Sequence, residues 1–565
     1  MERYRFLLLL DTDKIKDYVF ASSKLKEVRG ASRLLDYLNR DVSRRIIYQS
    51  FGLPDDFSKD EHERFRIVYL GGGAGKVEFV SREDAIRCGE EIAKAYKKWT
   101  RTASLSWEVV EIDTNHYYKC VAKGEFLLRL KKQSPLTAGQ SFHLGIFHRC
   151  RHQETDAVEA VNQHFYEIKE VTEAYYSLRA QQGESFVKVG PASLIKRAFD
   201  QYYERYQSCL SRSSVVKQLR AFYGENWEFP KQLSVIGQAD QSGHIGLIYM
   251  DGNRMNKVLQ TLQTVESYQQ FSIGLQNAID RALVETITQL YPRGQLPKLA
   301  NEDEDEQKGQ PSEASVLPVE FVLAAGDDLI VIVPATKAMT FAEKFIEAFG
   351  VYANKLIDGQ AECLTMSAGV AIAKSSFPIK YLVPFAEQLL KSAKKKHYER
   401  RLQGESSLER LATIDYMVVS MSSNPDLATI RQEQLKKNEE DIDYELTVRP
   451  FDLATWKSLR QLVAQVKRHR PRFPSSKMKQ LYHLHFMERW EGEYYFQKLF
   501  MNLSDFHKQS LRQLYSLVGQ GIFPSFWYQK EEGVYASPLL DFLEIYPFID
   551  EAENVLVGEK GGNGC

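Results

Sequence analysis

Two stretches of this 565-residue chain repeat one pattern, and the repeat constrains the fold more than any other feature. They are RFLLLLDTDKIKDYV at 5–19 and HIGLIYMDGNRMNKVL at 244–259. Each begins with an apolar run typical of a buried strand, reaches an aspartate, and continues in a helical pattern. A gapless alignment places Asp11 on Asp251, and we therefore predict an internal duplication.

The two copies continue in the same order. VLAAGDDLIVIV (322–333) has the form of a strand, a tight turn and a strand, and YLGGGAGKVEFV (69–80) matches it. Each hairpin is followed by a helical pattern and another strand, at 81–99 and 104–113 in the first copy and at 337–356 and 364–374 in the second. The order β-α-β-β-α-β predicts two ferredoxin-like domains.

The glycine-rich hairpin of the first copy is not a Walker phosphate loop. That motif requires Gly, four residues, Gly-Lys and then Ser or Thr, but Val77 follows Gly75-Lys76 here. We interpret Gly72 and Gly73 as turn glycines that let a ligand or a neighbouring backbone approach closely. Alignment on Leu70 and Leu323 pairs the two turns, with Gly73 on Gly326, Ala74 on Asp327 and Gly75 on Asp328.

Composition restricts the class of protein. The chain is 43% hydrophobic and 26% charged, with a net charge of −1, which is typical of a globular protein and does not indicate nucleic-acid binding over the whole surface. The six cysteines are scattered without a CxxC pair, which favours reduced thiols over a disulfide framework. No apolar run approaches the roughly 20 residues of a membrane span. We therefore predict a cytoplasmic protein without a membrane segment.

Three acids of the second copy are predicted to meet. Asp251 ends the first strand, and Asp327 and Asp328 lie in the turn of the hairpin. The first and third strands of a ferredoxin-like sheet are adjacent, so these carboxylates can lie a few ångströms apart. Mg²⁺ prefers such oxygen ligands, and the arrangement suits attack of a ribose hydroxyl on an α-phosphorus. The alternative is that Gly-Asp-Asp forms only a hairpin turn.

The motifs of both copies resemble a known family. MDGNRM (250–255), AAGDDLIVIVP (324–334) and LTMSAGVAIAK (364–374) resemble the second palm of the large polymerase-like subunit of type III CRISPR effector complexes, in its Cmr-type form. DTDKIKDYVFASSKLKEVRGAS (11–32) is similar to the first palm of that family. The second copy is more distantly similar to GGDEF-type nucleotide cyclases.

The resemblance implies a function in antiviral defence. In that family two facing palms bind two ATP molecules and make cyclic oligoadenylates, with Mg²⁺ or Mn²⁺ as cofactor, and two ions are expected here. It implies that Asp327 and Asp328 are metal-binding catalytic acids and that Asp251 is a further ligand. It places Lys394 at the triphosphate, and Gly30 and Ser32 near the nucleotide between the palms. We also expect Gly326 in the turn of the second palm to contact nucleotide, and Gly72 and Gly73 to shape the second nucleotide site in the first palm.

The chain departs from the family pattern at two positions. Asn253 stands where the family usually has a second aspartate, which removes a charge while keeping an oxygen. Ala325 replaces a glycine before the Gly-Asp-Asp turn. We expect no His-Asp nuclease module, because the first palm strand starts within the first ten residues.

These observations predict an α+β chain of four domains. They are a degenerate first palm (1–135), a helical inter-palm domain (136–240), the second palm with its GDD motif (241–400) and a helical C-terminal domain (401–565). The family often carries a zinc ribbon between its palms. HRCRH (148–152) has no second ligand pair at zinc spacing, so we predict that the ribbon is lost.

Three functions remain open from the sequence. The first is a nucleotidyltransferase that converts ATP into a cyclic oligonucleotide, and the second is a scaffold subunit whose catalysis Asn253 has weakened. The third is a free-standing cyclase closer to GGDEF enzymes. The first two imply other CRISPR effector subunits and guide or target RNA as partners, for which the basic run KRHRPRFPSSKMK (467–479) is one possible contact.

Overall fold

The structure is a computed structural model. It describes residues 4–54, 59–113, 116–133, 190–205, 211–240, 242–301, 313–357, 363–419, 426–439, 442–519 and 525–550. No helix within these ranges is both long and apolar enough to cross a membrane. The predicted α+β fold class is confirmed, while the predicted domain boundaries stay predictions.

The first palm contains a four-stranded antiparallel sheet. Its elements are β1 (Phe6–Thr12), α1 (Ile15–Val19), α2 (Leu25–Tyr37), a π-helical turn (Leu38–Val42), α3 (Ser43–Ser50), β2 (Phe65–Gly71), β3 (Ala74–Phe79), α4 (Arg82–Thr100), β4 (Leu105–Glu111) and α5 (Tyr117–Gln133). The strand order is β2-β3-β1-β4, with β1 antiparallel to both neighbours. This is the predicted ferredoxin-like order, with the first and third strands adjacent at the centre.

Three helices follow in the described part of the inter-palm region, namely α6 (Pro191–Arg205), α7 (Ser211–Tyr223) and α8 (Leu233–Gln238). The HRCRH motif at 148–152 lies outside the described residues. Helix α6 packs against α2 of the first palm so closely that a Cβ on Gly30 would lie 1.7 Å from the backbone oxygen of Lys196. The close contact between α2 and α6 therefore requires a glycine at position 30.

The second palm repeats the first and extends its sheet. Its elements are β5 (His244–Gly252), α9 (Met255–Thr261), α10 (Val265–Leu290), β6 (Lys298–Ala300), β7 (Glu313–Ser315), β8 (Glu320–Ala325), β9 (Asp328–Pro334), α11 (Ala335–Ala353), a 3₁₀ helix (Asn354–Ile357), β10 (Met366–Lys374) and α12 (Ile379–Leu402). Strands β10-β5-β9-β8 have the same relative order as β4-β1-β3-β2. The apolar runs read from the sequence form this buried centre, where Leu247 and Val331 have no exposed surface.

The C-terminal region is less purely helical than predicted. Its elements are α13 (Leu408–Leu411), β11 (Thr413–Val418), α14 (Leu427–Gln434), β12 (Lys436–Glu439), β13 (Ile442–Glu445), β14 (Phe451–Asp452), α15 (Leu453–Arg468), α16 (Ser475–Leu484), α17 (Arg489–Met501), α18 (Asp505–Val518), β15 (Tyr528–Glu531), β16 (Val534–Ala536), α19 (Leu539–Ile545) and a 3₁₀ helix (Tyr546–Phe548). Strand β11 pairs in parallel with β10, and β14 pairs with β11, so both extend the sheet of the second palm. The other four strands form a separate sheet, β12-β13-β16-β15.

The structure corrects the alignment of the two hairpin turns by one residue. Gly71 pairs with Ala74 to close the first turn, and Ala325 pairs with Asp328 to close the second. Both hairpins also carry a register shift at the same distance before the turn, at Ile67/Tyr69 and Phe321/Leu323. The equivalent residues are thus Gly72 and Gly326, Gly73 and Asp327, and Ala74 and Asp328.

Candidate active site

The acids of the second palm lie at one edge of its sheet. The last registered pair between β5 and β9 is Met250 with Leu329, so Asp251 and Asp328 are the next residues on the two adjacent strands. A Cβ on Gly252 would lie 3.0 Å from the Cβ of Asp327. We call Asp251, Asp327 and Asp328 the acid corner. It contains the three carboxylates that the sequence predicted to meet.

Burial and mutual repulsion govern the charges of the acid corner. Burial is the largest cause that raises the pKa of Asp327 to about 7, and the charges of Asp251 and Asp328 add to it. Burial likewise raises the pKa of Asp328 to about 6, with repulsion from Asp251 second. Without a bound cation these carboxyl groups are therefore harder to ionise than free aspartate.

Lys394 is the cation nearest to Asp251. Its Nζ donates hydrogen bonds to Oδ2 of Asp251 and, at 3.3 Å, to the backbone oxygen of Gly252. It comes from α12, the helix that follows the last palm strand. The predicted site lysine is thus brought to the acid corner, where it neutralises one of the three acids.

A second lysine reaches the acid corner from the first palm. Lys16 lies on α1, and its Nζ is 3.2 Å from Oε1 of Glu387 on α12 and 4.7 Å from the ring centroid of Tyr249 on β5. The positive charge of Lys16 lowers the pKa of Asp328, against the larger effect of burial. Sequence reasoning missed Lys16, because its contacts cross between the two palms and no local spacing indicates them.

Asn253 has a structural role rather than a place among the acids. It is only 4% exposed, and its Oδ1 accepts a hydrogen bond of 2.9 Å from the hydroxyl of Ser367. Its Nδ2 donates to the hydroxyl of Thr365 at 2.9 Å. Asp13, the equivalent residue of the first palm, accepts in the same way from Ser106 at 2.8 Å. Asn253 therefore accepts from a serine as Asp13 does in the first palm, without needing a carboxylate.

The first palm has an Asp–Lys pair like that of the second. Lys132 on α5 lies 2.6 Å from Oδ2 of Asp11 and 3.4 Å from the backbone oxygen of Thr12. These contacts match those of Lys394 with Asp251 and Gly252, residue for residue. Lys132 also lies 3.4 Å from Asp13. The first palm thus keeps the strand-end aspartate and the helix lysine, but it has Gly73 and Ala74 at the turn.

The turn glycines differ in what surrounds them. Gly72 and Gly73 have φ angles of 62° and 82°, and a Cβ on Gly73 would lie 2.1 Å from Cδ1 of Ile15. Gly326 has a φ of 63°, and a Cβ there would meet no atom within 4 Å. Gly326 therefore has open space beside it, whereas Ile15 of α1 fills the space beside Gly73, the residue equivalent to Asp327.

The remaining predicted nucleotide contacts lie in a helix of the first palm. Gly30 and Ser32 are buried in α2, and the contact of Gly30 is the backbone of Lys196. The structure therefore does not bring Gly30 to the acid corner, and contact between α2 and α6 accounts for the glycine. The structure also contains a cleft of about 330 Å³, and none of the predicted site residues lines it. Its lining consists of residues 23–26, 231–234 and 375–378 and Arg197.

The donor set fits a hard divalent cation. In the described part of the chain, no group of three or more His, Cys, Asp or Glu side chains is arranged to hold a metal ion. Asp251 is hydrogen-bonded to Lys394, which leaves Asp327 and Asp328 as the available pair. Mg²⁺ commonly takes one or two carboxylates together with substrate phosphates, so two acids suffice.

The fold and the acid corner place the second palm of this chain in the class of palm-domain proteins. Within that class, residues 244–402 match the family model described as Cas10/Cmr2, second palm domain. The match confirms, for this segment, the resemblance to the large subunit of type III CRISPR complexes that the sequence predicted. No match was found among curated proteins.

Solved structures of the Csm1–Csm4 cassette have a similar fold, in alignments that cover 97% of this chain. The cassette in complex with one ATP has a TM-score of 0.51 at 14% identity, with 70% of its chain covered. The complexes with pppApA and with cA3 both have a TM-score of 0.50, at 13% and 14% identity, with 69% and 70% of their chains covered. At these identities the likeness shows the fold alone.

Proposed function

We propose that this chain is a metal-dependent nucleotidyltransferase that binds ATP between its two palms and joins it into a cyclic oligoadenylate signal of antiviral defence. One observation carries the proposal: the acid corner brings three aspartates together at the ends of adjacent strands. Such a cluster destabilises the folded chain unless it binds a cation, so its natural explanation is a functional one.

Each residue of the acid corner has a proposed task. Asp327 and Asp328 hold one or two Mg²⁺ or Mn²⁺ ions, and Asp251 joins them when Lys394 turns from it towards a triphosphate. When bound, these ions would activate the attacking hydroxyl and neutralise the leaving pyrophosphate. Gly326, with open space beside it, lets the phosphates approach the turn. Gly72 and Gly73 shape the opposite nucleotide site in the first palm, whereas Ser32 and Gly30 are not needed for the proposal.

The nucleotide is proposed from the related structures. Those are complexes of the Csm1–Csm4 cassette with one ATP, with pppApA and with cA3. By analogy we assign ATP as substrate to this chain, and other CRISPR effector subunits with guide and target RNA as its partners. The acid corner itself is indifferent to the base, because its contacts are to phosphate and metal.

A second function has a specific observation in its favour. The hydrogen bond between Lys394 and Asp251 leaves two acids rather than three, and a chain held in this state would act as a scaffold subunit of an RNA-guided complex. Such a scaffold would bind its partner subunits normally but would convert no ATP under any condition.

Conversion of labelled ATP tests the proposal. Purified protein is incubated with ATP and Mg²⁺ or Mn²⁺, with and without partner subunits and guide–target RNA. We expect oligoadenylate product from the wild type and none from the double variant Asp327→Ala, Asp328→Ala. The matched control is Glu90→Ala, Glu91→Ala, which removes two adjacent exposed acids of α4 and should leave product formation unchanged. Product that survives loss of Asp327 and Asp328 would refute the site, and no product from the wild type would favour the scaffold.

A further inference from the structure

Lys16 links the first palm to the acid corner of the second. Its Nζ lies 3.2 Å from Oε1 of Glu387 and over the ring of Tyr249, which is two residues before Asp251 on β5. Residues two apart on a strand share a face, so Tyr249 and Asp251 lie on the same side of the sheet. Lys16 therefore stands beside the acids although it belongs to the other palm.

In the first palm, the residue equivalent to Glu387 pairs with a lysine of the same palm. Glu125 precedes Lys132 by seven residues, as Glu387 precedes Lys394, so the two glutamates are equivalent. Glu125 lies 3.5 Å from Lys76 on β3 of the same palm. The residue of β9 equivalent to Lys76 is Ile330, which carries no charge. Glu387 thus pairs with a lysine of the neighbouring palm in addition to Lys391 of its own helix.

The contact between Lys16 and Glu387 contributes little to holding the palms together. The two side chains are 36% and 27% exposed, and ion pairs of this kind add at most about 1 kcal/mol of stability. Glu387 also has a second partner, Lys391, at 3.2 Å. Lys16 can therefore leave Glu387 without leaving that carboxylate unpaired.

We infer that Lys16 of the first palm binds the phosphate chain of the nucleotide held at the acid corner of the second. The inference rests on the proposed function. A lysine ammonium is a compact point charge on a flexible stem, which suits a contact that exchanges a carboxylate for a phosphate. The short distance from Tyr249 to Asp251 along β5 means that a small movement of the side chain suffices.

The residue of the second palm that is equivalent to Lys16 carries no charge. With Asp11 on Asp251, Lys16 falls on Asn256, which has no charge to offer to the first palm. Asn256 therefore cannot make an ion pair of the kind that Lys16 makes with Glu387.

Calorimetric titration of the full chain with ATP and Mg²⁺ tests the inference. We expect Lys16→Ala to weaken ATP binding by about tenfold or more, as for loss of a charge-assisted hydrogen bond, and to leave the binding of adenosine unchanged. Lys16→Arg keeps the charge and should restore most of the affinity. Glu387→Gln should leave ATP binding unchanged or tighten it, because it releases Lys16. The control is Lys94→Ala, which removes a first-palm lysine whose partner, Glu91, is on its own helix.

The outcomes separate the alternatives. Equal weakening by Lys16→Ala and Glu387→Gln would identify the pair as a structural brace and overturn the inference. Wild-type affinity in Lys16→Ala, with product formation still dependent on Asp327 and Asp328, would overturn the inference and keep the proposed function. Failure of the wild type to bind ATP would overturn both.

Discussion

The first and second palms hold the same ion pair in the same place but differ at the neighbouring turn. Lys132 pairs with Asp11 in one palm, and Lys394 pairs with Asp251 in the other. The turn beside the pair contains Gly73 and Ala74 in the first palm, where the second has two aspartates. The ion pair is thus a property of the repeated unit. What distinguishes the second palm is the pair of acids in its turn.

The difference extends to the space beside each turn. In the first palm, Ile15 occupies the position that a side chain at Gly73 would need, so acids at this turn would collide with α1. In the second palm the equivalent position is occupied by Asp327, so its side chain is accommodated there. A duplicated fold has therefore kept its sheet and its ion pair in both copies and left room for an acid at this turn position in only one.

The largest effect is expected from the two equivalent lysines. Lys394→Ala should lower ATP conversion by about tenfold to a hundredfold, because a charge-assisted hydrogen bond to phosphate contributes roughly 1.5–3 kcal/mol. Lys132→Ala, its matched control in the first palm, should leave the rate within about twofold of the wild type. Initial rates with labelled ATP measure both. Equal losses would contradict the difference between the palms and mean that the two are catalytically equivalent.

The two turns should respond differently to an added methyl group. Gly73→Ala should destabilise the protein by about 2 kcal/mol, because alanine is strained at a φ of 82° and must also displace Ile15. Gly326→Ala has the strain of its φ of 63° but no collision, so about 1 kcal/mol is expected. Unfolding midpoints in urea give the order. A larger loss at Gly326 would show that the second turn is as crowded as the first.

The acid corner should make stability depend on pH. The pKa of Asp327 is raised to about 7 and that of Asp328 to about 6, so the folded state favours their protonated forms. Their contribution to stability is full below the unfolded value of 3.8 and is lost as the pH rises through about 6 to 7.

Asp327→Asn with Asp328→Asn should therefore raise the melting temperature at pH 8 in the presence of a chelator, by a few degrees at most. The advantage over the wild type should vanish near pH 4. Melting curves at the two pH values check this, with Glu90→Gln, Glu91→Gln as the control that shows no such difference. A double variant that is less stable than the wild type at pH 8 would contradict the assigned repulsion.

The sequence predicted the sheets and the acid corner because both depend on local patterns. Apolar runs locate the central strands, and the strand order then brings Asp251 next to the turn of Asp327 and Asp328. The turn alignment was wrong by one residue, because it was anchored on Leu70 and Leu323, whereas the strand pairing places Leu70 on Ala324. The predicted pairing of Gly73 with Gly326 fails for this reason.

The features that the sequence did not reveal depend on contacts between distant segments. Gly30 is explained by α6, which lies more than 150 residues further along the chain. Lys16 meets Glu387 across the boundary between the palms. The strands of the C-terminal region are short and mixed with charged residues, as in KKNE of β12, so their pattern is too weak to predict.

Binding of Mn²⁺ in the presence of ATP, followed by electron paramagnetic resonance, tests whether the acids in the turn of the second palm hold the metal. The wild type is compared with Asp327→Asn, Asp328→Asn in the second palm and with Asp11→Asn, Asp13→Asn in the first. We predict that bound Mn²⁺ is lost in the second-palm variant and retained in the first-palm variant. Bound Mn²⁺ that persists without Asp327 and Asp328, or that disappears with the acids of the first palm, would contradict this prediction.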